Sequence, residues 1–180
     1  MSVEITYFVH GTTIDNEKNK STGWNQGELS ELGIKQSKEL AELIKDKKFD
    51  IVFTSDLKRA LDSAKLLLRN RQEKIIVDER LRECNYGDFN GSDEEIVIYE
   101  EHITESFPNG ESLKDVEKRI LHFIKYLEKN YKNKQIAIVA HKATQLAFEV
   151  LLNNKNWEKA LEEDWRKTKN WKPGWNYYIK

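Results

Sequence analysis

Two histidines each stand directly after an apolar run, and that is a placement from which side chains do chemistry. Residues 5–9 read Ile-Thr-Tyr-Phe-Val and hand over to His10, with Gly11, Thr12 and Thr13 next. Residues 136–140 read Ile-Ala-Ile-Val-Ala and hand over to His141. A third run, 49–54, ends at Ser55, with Arg59 one turn into the helical pattern beyond it. In open α/β sheets, ligands collect outside the carboxyl ends of strands. A helix starting after His141 would present unpaired N–H groups, which favour an anion. Two imidazoles, a guanidinium and helix amides at one sheet edge describe a phosphate site with an imidazole nucleophile. Taken on its own stretch, His10 also reads as a simple turn histidine. A metal centre needs three or more clustered ligands. His102 and His122 lack ligand spacing and read as surface residues. The chain has no Gly-rich nucleotide loop and no Gly-x-Ser-x-Gly elbow.

The elements that must position these groups follow from periodicity. Residues 3–9, 49–54, 75–77 and 135–140 are predicted strands. Residues 30–45 carry a helical stripe of Leu32, Gln36, Leu40 and Leu43, widened by Ala41 and Ile44. A second helix places Leu57, Ala60, Leu61, Ala64 and Leu68 inward, and Ser55-Asp56 offers its N-cap. Ser112 to Asp115 has capping-box spacing, and a long amphipathic helix follows with Leu113, Val116, Ile120, Ile124, Leu127 and Tyr131. Another helix runs through Leu146, Val150 and Leu151. Residues 15–27 read as a loop containing Trp24, either a packing plug or a pocket wall. Residues 93–101 read as a short helix, and 175–179 as an edge strand. Trp157, Trp165, Trp171 and Trp175 either wall the pocket or close the core, with core or edge packing preferred. Alternating strands and helices predict an α/β, three-layer αβα sandwich with a mostly parallel central sheet.

Composition narrows the class. A chain of 180 residues is expected to form one domain over 1–180. Lys and Arg total 30 against 31 Asp and Glu, so no global charge favours nucleic acid or a membrane surface. Lys167, Lys169 and Lys172 are interrupted by aromatics and form too short a basic tail for nucleic acid. The single cysteine, Cys84, excludes an intrachain disulfide and reads as a small buried filler. No leader-like h-region or membrane-length apolar run is seen, and a cytoplasmic protein is expected. The oligomeric state, monomer or homodimer, stays open.

Several stretches, in order, resemble the histidine phosphatase, or phosphoglycerate-mutase-like, superfamily. Val9-His10-Gly11-Thr12-Thr13 stands where that family has Arg-His-Gly-Glu/Gln-Thr, and Asn16 falls on its following asparagine. Ser21-Thr22-Gly23-Trp24 with Leu29-Ser30-Glu31-Leu32-Gly33 is similar to the mutase branch. Thr54-Ser55-Asp56-Leu57-Lys58-Arg59-Ala60 matches Ser-x-Leu-x-Arg-Ala. Leu81-Arg82-Glu83 with Gly87 and Gly91 matches the segment supplying the acid. Phe107-Pro108-Asn109-Gly110-Glu111-Ser112, Arg119 and Val139-Ala140-His141 match the later motifs. The resemblance implies a phosphoglycerate-mutase-like fold with no metal and no cofactor. It implies that His10 is the nucleophile and a transient phosphohistidine. Arg59 would grip phosphoryl oxygens as a planar fork, with His141 and Asn16 as further donors and Thr22 and Gly23 in the binding loop. Glu83 would be the proton donor. Arg82 reads as an ion-pair residue and Arg119 as structural.

Two positions depart from that pattern. Val9 stands where an arginine is expected, and Lys142 where a glycine usually follows the second histidine. Lys142 reads either as the replacement charge or as a solvent-exposed residue of a helix start. Loss of one charge-assisted donor costs roughly a hundredfold or more in rate. The expected function is a phosphomonoesterase on a small phosphorylated metabolite, with 92–109 as a short lid or cap. The alternatives are a phosphoglycerate-type mutase and a catalytically impaired phospholigand-binding protein.

Overall fold

Hydrophobic alternation along three strands divides the interior in two. The computed structural model describes residues 2–168 and 172–180. Its elements run β1 (Val3–Val9), α1 (Ile14–Glu17), β2 (Lys20–Ser21), α2 (Glu31–Leu43), β3 (Ile51–Thr54), α3 (Lys58–Leu67), β4 (Ile75–Val77) and β5 (Ser92–Asp93). They continue with α4 (Leu113–Asn130), β6 (Gln135–Ala140), α5 (Lys142–Leu152), α6 (Trp157–Glu162), α7 (Trp165–Thr168) and β7 (Trp175–Ile179). The main sheet has the order β4-β3-β6-β1-β7. β1, β3, β4 and β6 are parallel, and β7 runs antiparallel to β1 at the edge. Tyr7, Phe53 and Ile138 point into a core shared with α4, α5 and α6. Their neighbours Phe8, Val52 and Val139 point into a second core, shared with α2 and α3. A period of two thus serves both faces of a buried parallel sheet, and the three-layer α/β sandwich is the fold.

The long amphipathic helix keeps its expected face. α4 buries Leu113, Val116, Ile120, Phe123, Ile124 and Leu127, and its capping box joins Ser112 to Asp115. α2 keeps its expected face only in part: Ala41 and Ile44 are buried and Leu40 packs on the second core. Its buried residues are Gly33, Ser37 and Ala41, while Leu32 and Leu43 are 47% and 65% exposed. Backbone proximity decides this. A Cβ on Gly33 would lie 1.9 Å from the Thr12 carbonyl oxygen, and one on Gly11 would lie 2.4 Å from that of Gly33. The helix therefore turns its small face to the loop after β1, which outweighs the burial of two leucines.

Other expectations are corrected locally. Residues 15–27 are not all loop. α1 carries a Thr13–Asn16 capping box, and β2 pairs with β5. Residues 93–101 form two 3₁₀ turns, Glu94–Ile96 and Tyr99–His102, in place of one helix. Ser55 does not cap α3, whose N-cap is Leu57. Trp157 is core, as expected, with Nε1–H donating to Glu117 at 2.7 Å. Trp165 and Trp175 instead line a cavity. Trp171 and Lys169 lie outside the described residues. Among the described residues, no helix is long and apolar enough to cross a membrane.

Candidate active site

Strand register delivers the candidate residues to one edge. Val9 pairs with Ala140, and Thr54 with Val139, so β1, β6 and β3 end nearly level. His10, His141 and Ser55 leave those ends side by side. The two imidazole centroids are 5.1 Å apart. His10 Nδ1 lies 2.7 Å from the Gly11 carbonyl oxygen. A carbonyl only accepts, so Nδ1 carries the proton and a neutral ring keeps its lone pair on Nε2. Burial, then the Arg59 charge, pulls the His10 pKa down to about 3. The ring is therefore neutral at ordinary pH. The loop that holds it is braced by Ser63, which accepts from the Gly11 N–H at 3.0 Å. Gln36 Oε1 takes both the Thr12 N–H and hydroxyl at 2.9 Å.

His141 is fully buried beside His10 and does not reach the cavity wall. Its Nε2 is 2.6 Å from Ser55 Oγ, which also accepts from the Leu57 N–H at 3.3 Å. With its proton on Nδ1, His141 accepts the Ser55 hydroxyl at Nε2. Nδ1 is buried and has no partner among the described residues. Burial, then the Arg59 and His10 charges, holds the His141 pKa well below the ordinary value. Tyr7 secures the backbone here: its hydroxyl oxygen accepts from the His141 N–H at 3.1 Å.

Glu83 is buried and tightly held. Its Oε1 accepts from the Cys84 and Ala143 N–H groups at 2.9 Å each, and Oε2 accepts from Lys142 N–H at 3.2 Å. The expectation that the start of α5 offers free amides to an anion is thus corrected. The carboxylate takes two of them, because it is the nearest negative charge to that helix end. The Glu83 carbonyl accepts from Trp24 Nε1–H at 2.7 Å and from Arg119 Nη2–H at 2.9 Å. Arg119 also donates to the Arg80 and Arg82 carbonyls and to Glu111. Arg82 pairs with Asp56 through two nitrogens, and its guanidinium lies 4.8 Å over the Trp24 ring. Trp24 is therefore a packing plug that also orients the acidic segment.

A cavity of about 810 Å³ opens above these residues, lined by His10, Arg59, Glu83, Asn16, Thr22, Gly23 and Lys142, among others. Arg59 is 1% exposed and holds the adjacent loop. Its Nη1 donates to the Asn25 and Gln26 carbonyls at 2.8 and 3.3 Å, and Nη2 donates to that of Gly23 at 2.7 Å. Gly23 sits at φ +56°, where a Cβ would strike Asn90 Oδ1 at 1.8 Å. Asn16 Oδ1 accepts from the Thr13 N–H at 3.0 Å, and Thr22 donates its hydroxyl to Asp15 at 2.8 Å. Lys142 Nζ lies 3.4 Å from Asp164 Oδ2 and 4.5 Å over the Tyr99 ring. The cavity wall also carries Trp165 and Trp175, the pocket-wall alternative for these tryptophans, and Arg166, which the sequence does not single out. Its one local signal is an aromatic–cationic pair, Trp165-Arg166. Cys84 is fully buried, as expected, and burial pushes its thiol pKa up. His122 is exposed, as expected. His102 is half-buried and stacks on Phe107 at 3.7 Å between centroids. No group of three or more His, Cys, Asp or Glu placed to hold a metal occurs among the described residues.

Comparison with known proteins bears on this geometry. A family model for the histidine phosphatase superfamily (branch 1) matches residues 7–173. A phosphoglycerate mutase of Schizosaccharomyces pombe is 36% identical over 149 residues, covering 73% of this chain and 71% of that protein. An uncharacterized phosphatase, PhoE, of Bacillus subtilis is 32% identical over 136 residues, covering 74% and 69%. The crystal structure of the alpha-ribazole phosphatase from Shigella flexneri superposes with a TM-score of 0.78 at 26% identity, over 90% of this chain and 84% of that one.

Proposed function

The chain belongs to the histidine phosphatase superfamily and is an enzyme of that class, and on that premise we propose a metal-independent phosphomonoesterase that acts on a small phosphorylated metabolite through His10. The observation that carries the reading is the state of His10. It lines the cavity with Nδ1–H tied to a carbonyl, so Nε2 holds a lone pair, and a pKa of about 3 keeps that lone pair unprotonated. Nε2 attacks phosphorus and forms a P–N bond while the P–O ester bond breaks. Glu83, a carboxylate in the resting site, takes the proton of the monoanionic ester and passes it to the leaving oxygen. Water then attacks the phosphohistidine, Glu83 takes up a water proton and returns it to the departing phosphate. Ester plus water thus becomes alcohol plus phosphate.

The remaining groups serve the charge that spreads over the phosphoryl oxygens. Arg59 donates its remaining N–H groups, and Asn16 its side-chain amide. Thr22 and Gly23 shape the binding loop. His141 donates Nδ1–H once the phosphoryl group draws aside the side chains that seal it. Its buried, unpartnered nitrogen supports this role, because such a group costs about 1–3 kcal/mol until it is satisfied. Val9 stands in place of an arginine, and Lys142 supplies positive charge to the same site. Residues 92–109 act as a short lid, a reading supported by Glu94, Val97 and Tyr99 in the cavity wall. A lid this short leaves water access to phospho-His10, which favours hydrolysis over transfer.

The relationship to the Schizosaccharomyces pombe mutase favours one second reading, a phosphoglycerate-type mutase. Rapid mixing with p-nitrophenyl phosphate, an acid-free quench and mass spectrometry test the mechanism. One added phosphoryl group on His10, with phosphate release and neither in His10→Ala, is expected. Isomerisation of a phosphoglycerate faster than phosphate release would establish the mutase. Phosphate binding with no phosphohistidine and no release would make the protein a phospholigand-binding protein.

A further inference from the structure

The geometry points to Arg166 as a second guanidinium of the phosphoryl site, brought to it by α7. The inference rests on the phosphatase reading and names a residue that reading does not use. Arg59 has Nη1 and Nη2 turned to three loop carbonyls, so part of its fork is committed to protein. Lys20, at the cavity rim, pairs with Asp93 at 2.7 Å. Lys142 pairs with Asp164 without a hydrogen bond.

Arg166 differs from these three. It shares the cavity wall with His10, and its side chain is 26% exposed. Its backbone N–H and Nη1–H both donate to Asp164 Oδ1, at 3.1 and 2.9 Å. Its guanidinium lies 4.6 Å over the Trp165 ring. Its other guanidinium N–H groups have no acceptor among the described residues. The side chain is thus fixed in place by an anchor and a ring face with donors to spare.

Asp164 completes the device. Its side chain is fully buried and sits between Arg166 and Lys142. Burial pushes its carboxyl pKa upward, but the Arg166 and Lys142 charges outweigh burial and hold it below the ordinary value. One carboxylate between two cations leaves a positive charge uncompensated against the cavity. The Arg166 charge also contributes to the depression of His10, which places it within electrostatic reach of the reacting nitrogen. A dianionic phosphoryl group on His10 would lie in the field of both Arg59 and Arg166. A planar fork suits that group better than a lysine point charge. The position left without an arginine at Val9 is thereby served from a distant part of the chain.

The test compares wild type, Arg166→Ala and Arg166→Lys. Each is measured for kcat/KM on p-nitrophenyl phosphate, for the Kd of inorganic phosphate by calorimetry, and for the His10 titration by NMR. Arg166→Ala is expected to lose about 10²–10³-fold in kcat/KM, to bind phosphate at least about tenfold more weakly, and to show a raised His10 pKa. Arg166→Lys keeps the charge beside Asp164 and is expected to fall between. An unchanged phosphate Kd in Arg166→Ala overturns the inference, including the case in which only KM rises and Arg166 holds the leaving group. If Arg166→Ala fails to fold, Arg166→Lys with wild-type kcat/KM and phosphate Kd overturns it, and a tenfold loss in both supports it. Should wild type neither release phosphate nor form phospho-His10, the phosphatase reading fails, and the phosphate titrations still decide Arg166.

Discussion

Glu83→Gln separates two roles of one side chain, because the carboxylate anchors a helix and lines the cavity, where we propose it serves as the proton donor. In the structure it accepts three backbone N–H bonds, at 2.9, 2.9 and 3.2 Å. A glutamine oxygen keeps two of them, and its NH₂ group then faces the third donor. The loss is one charge-assisted bond, about 1.5–3 kcal/mol, plus the charge at the α5 N-terminus, about 0.3–1 kcal/mol. Stability should fall by about 2–4 kcal/mol. For a chain of 180 residues that lowers Tm by roughly 5–12 °C. Turnover should fall by about 10²–10⁴-fold on an alkyl phosphate, whose leaving oxygen needs a proton. On p-nitrophenyl phosphate, whose leaving group departs without one, the loss should be about tenfold or less in the phosphorylation step. The assay pairs thermal denaturation with single-turnover formation of phospho-His10 from the two esters. An equal loss on both esters would remove Glu83 as the proton donor. An unchanged Tm would refute its anchoring of α5.

Ser55→Ala removes the partner of His141 Nε2 at 2.6 Å and frees the ring to adopt the other tautomer; kcat/KM should drop about tenfold with about 1–2 kcal/mol of stability, and full wild-type kinetics would reject the Ser55 assignment. Arg119→Lys cannot span the Arg80, Arg82 and Glu83 carbonyls together with Glu111. It should cost about 2–3 kcal/mol and lower kcat more than it raises KM, as read from denaturant melts and initial rates. Acid should weaken the fold before the carboxylates titrate. His10 and His141 are held neutral in the native state, with pKa values below the ordinary 6.5. Their contribution is complete above pH 6.5 and is lost as pH falls from there toward the native values, because the unfolded chain then binds protons the native one refuses. The loss is about 1.4 kcal/mol per pH unit for each histidine. Urea melts at pH 7.5 and 5.5 should differ by about 2–3 kcal/mol, and His10→Asn should remove close to half of that difference.

What could be read in the sequence was whatever short-range pattern encodes. His10 and His141 announce themselves because each ends an apolar run, and parallel register makes those ends level. α4 announces itself because its face repeats with helical period and its capping box is local. The α2 stripe misled at Leu32 and Leu43 because hydrophobicity says nothing about where two backbones must touch. Gly11 and Gly33 settle that, at a separation no periodic window spans. Trp24 was recognisable as a plug, but its bond to the Glu83 carbonyl joins residues 59 positions apart. Trp165 and Trp175 resemble core residues in composition. Composition alone does not choose between core and pocket wall, and the cavity lining decides for the wall. The occupied amides of α5 were hidden for the same reason, since Glu83 arrives from a different loop.

The pairing of β1 carries a consequence for biosynthesis. The strand bearing His10 has β6 and β7 as its partners in the sheet, and both are made more than a hundred residues later. During translation it waits without a ladder, because contacts of such long sequence separation form late. A nascent chain emerging only as far as α4 already contains His10, Arg59 and Glu83. It still lacks Ala140, whose carbonyl receives the His10 N–H at 3.0 Å, and the α5 amides that seat Glu83. On the proposed mechanism, reactivity is therefore withheld from the unfinished polypeptide. The imidazole made first becomes competent only when the residues made last close around it, so fragments released early from the ribosome should leave the phosphoester pool untouched.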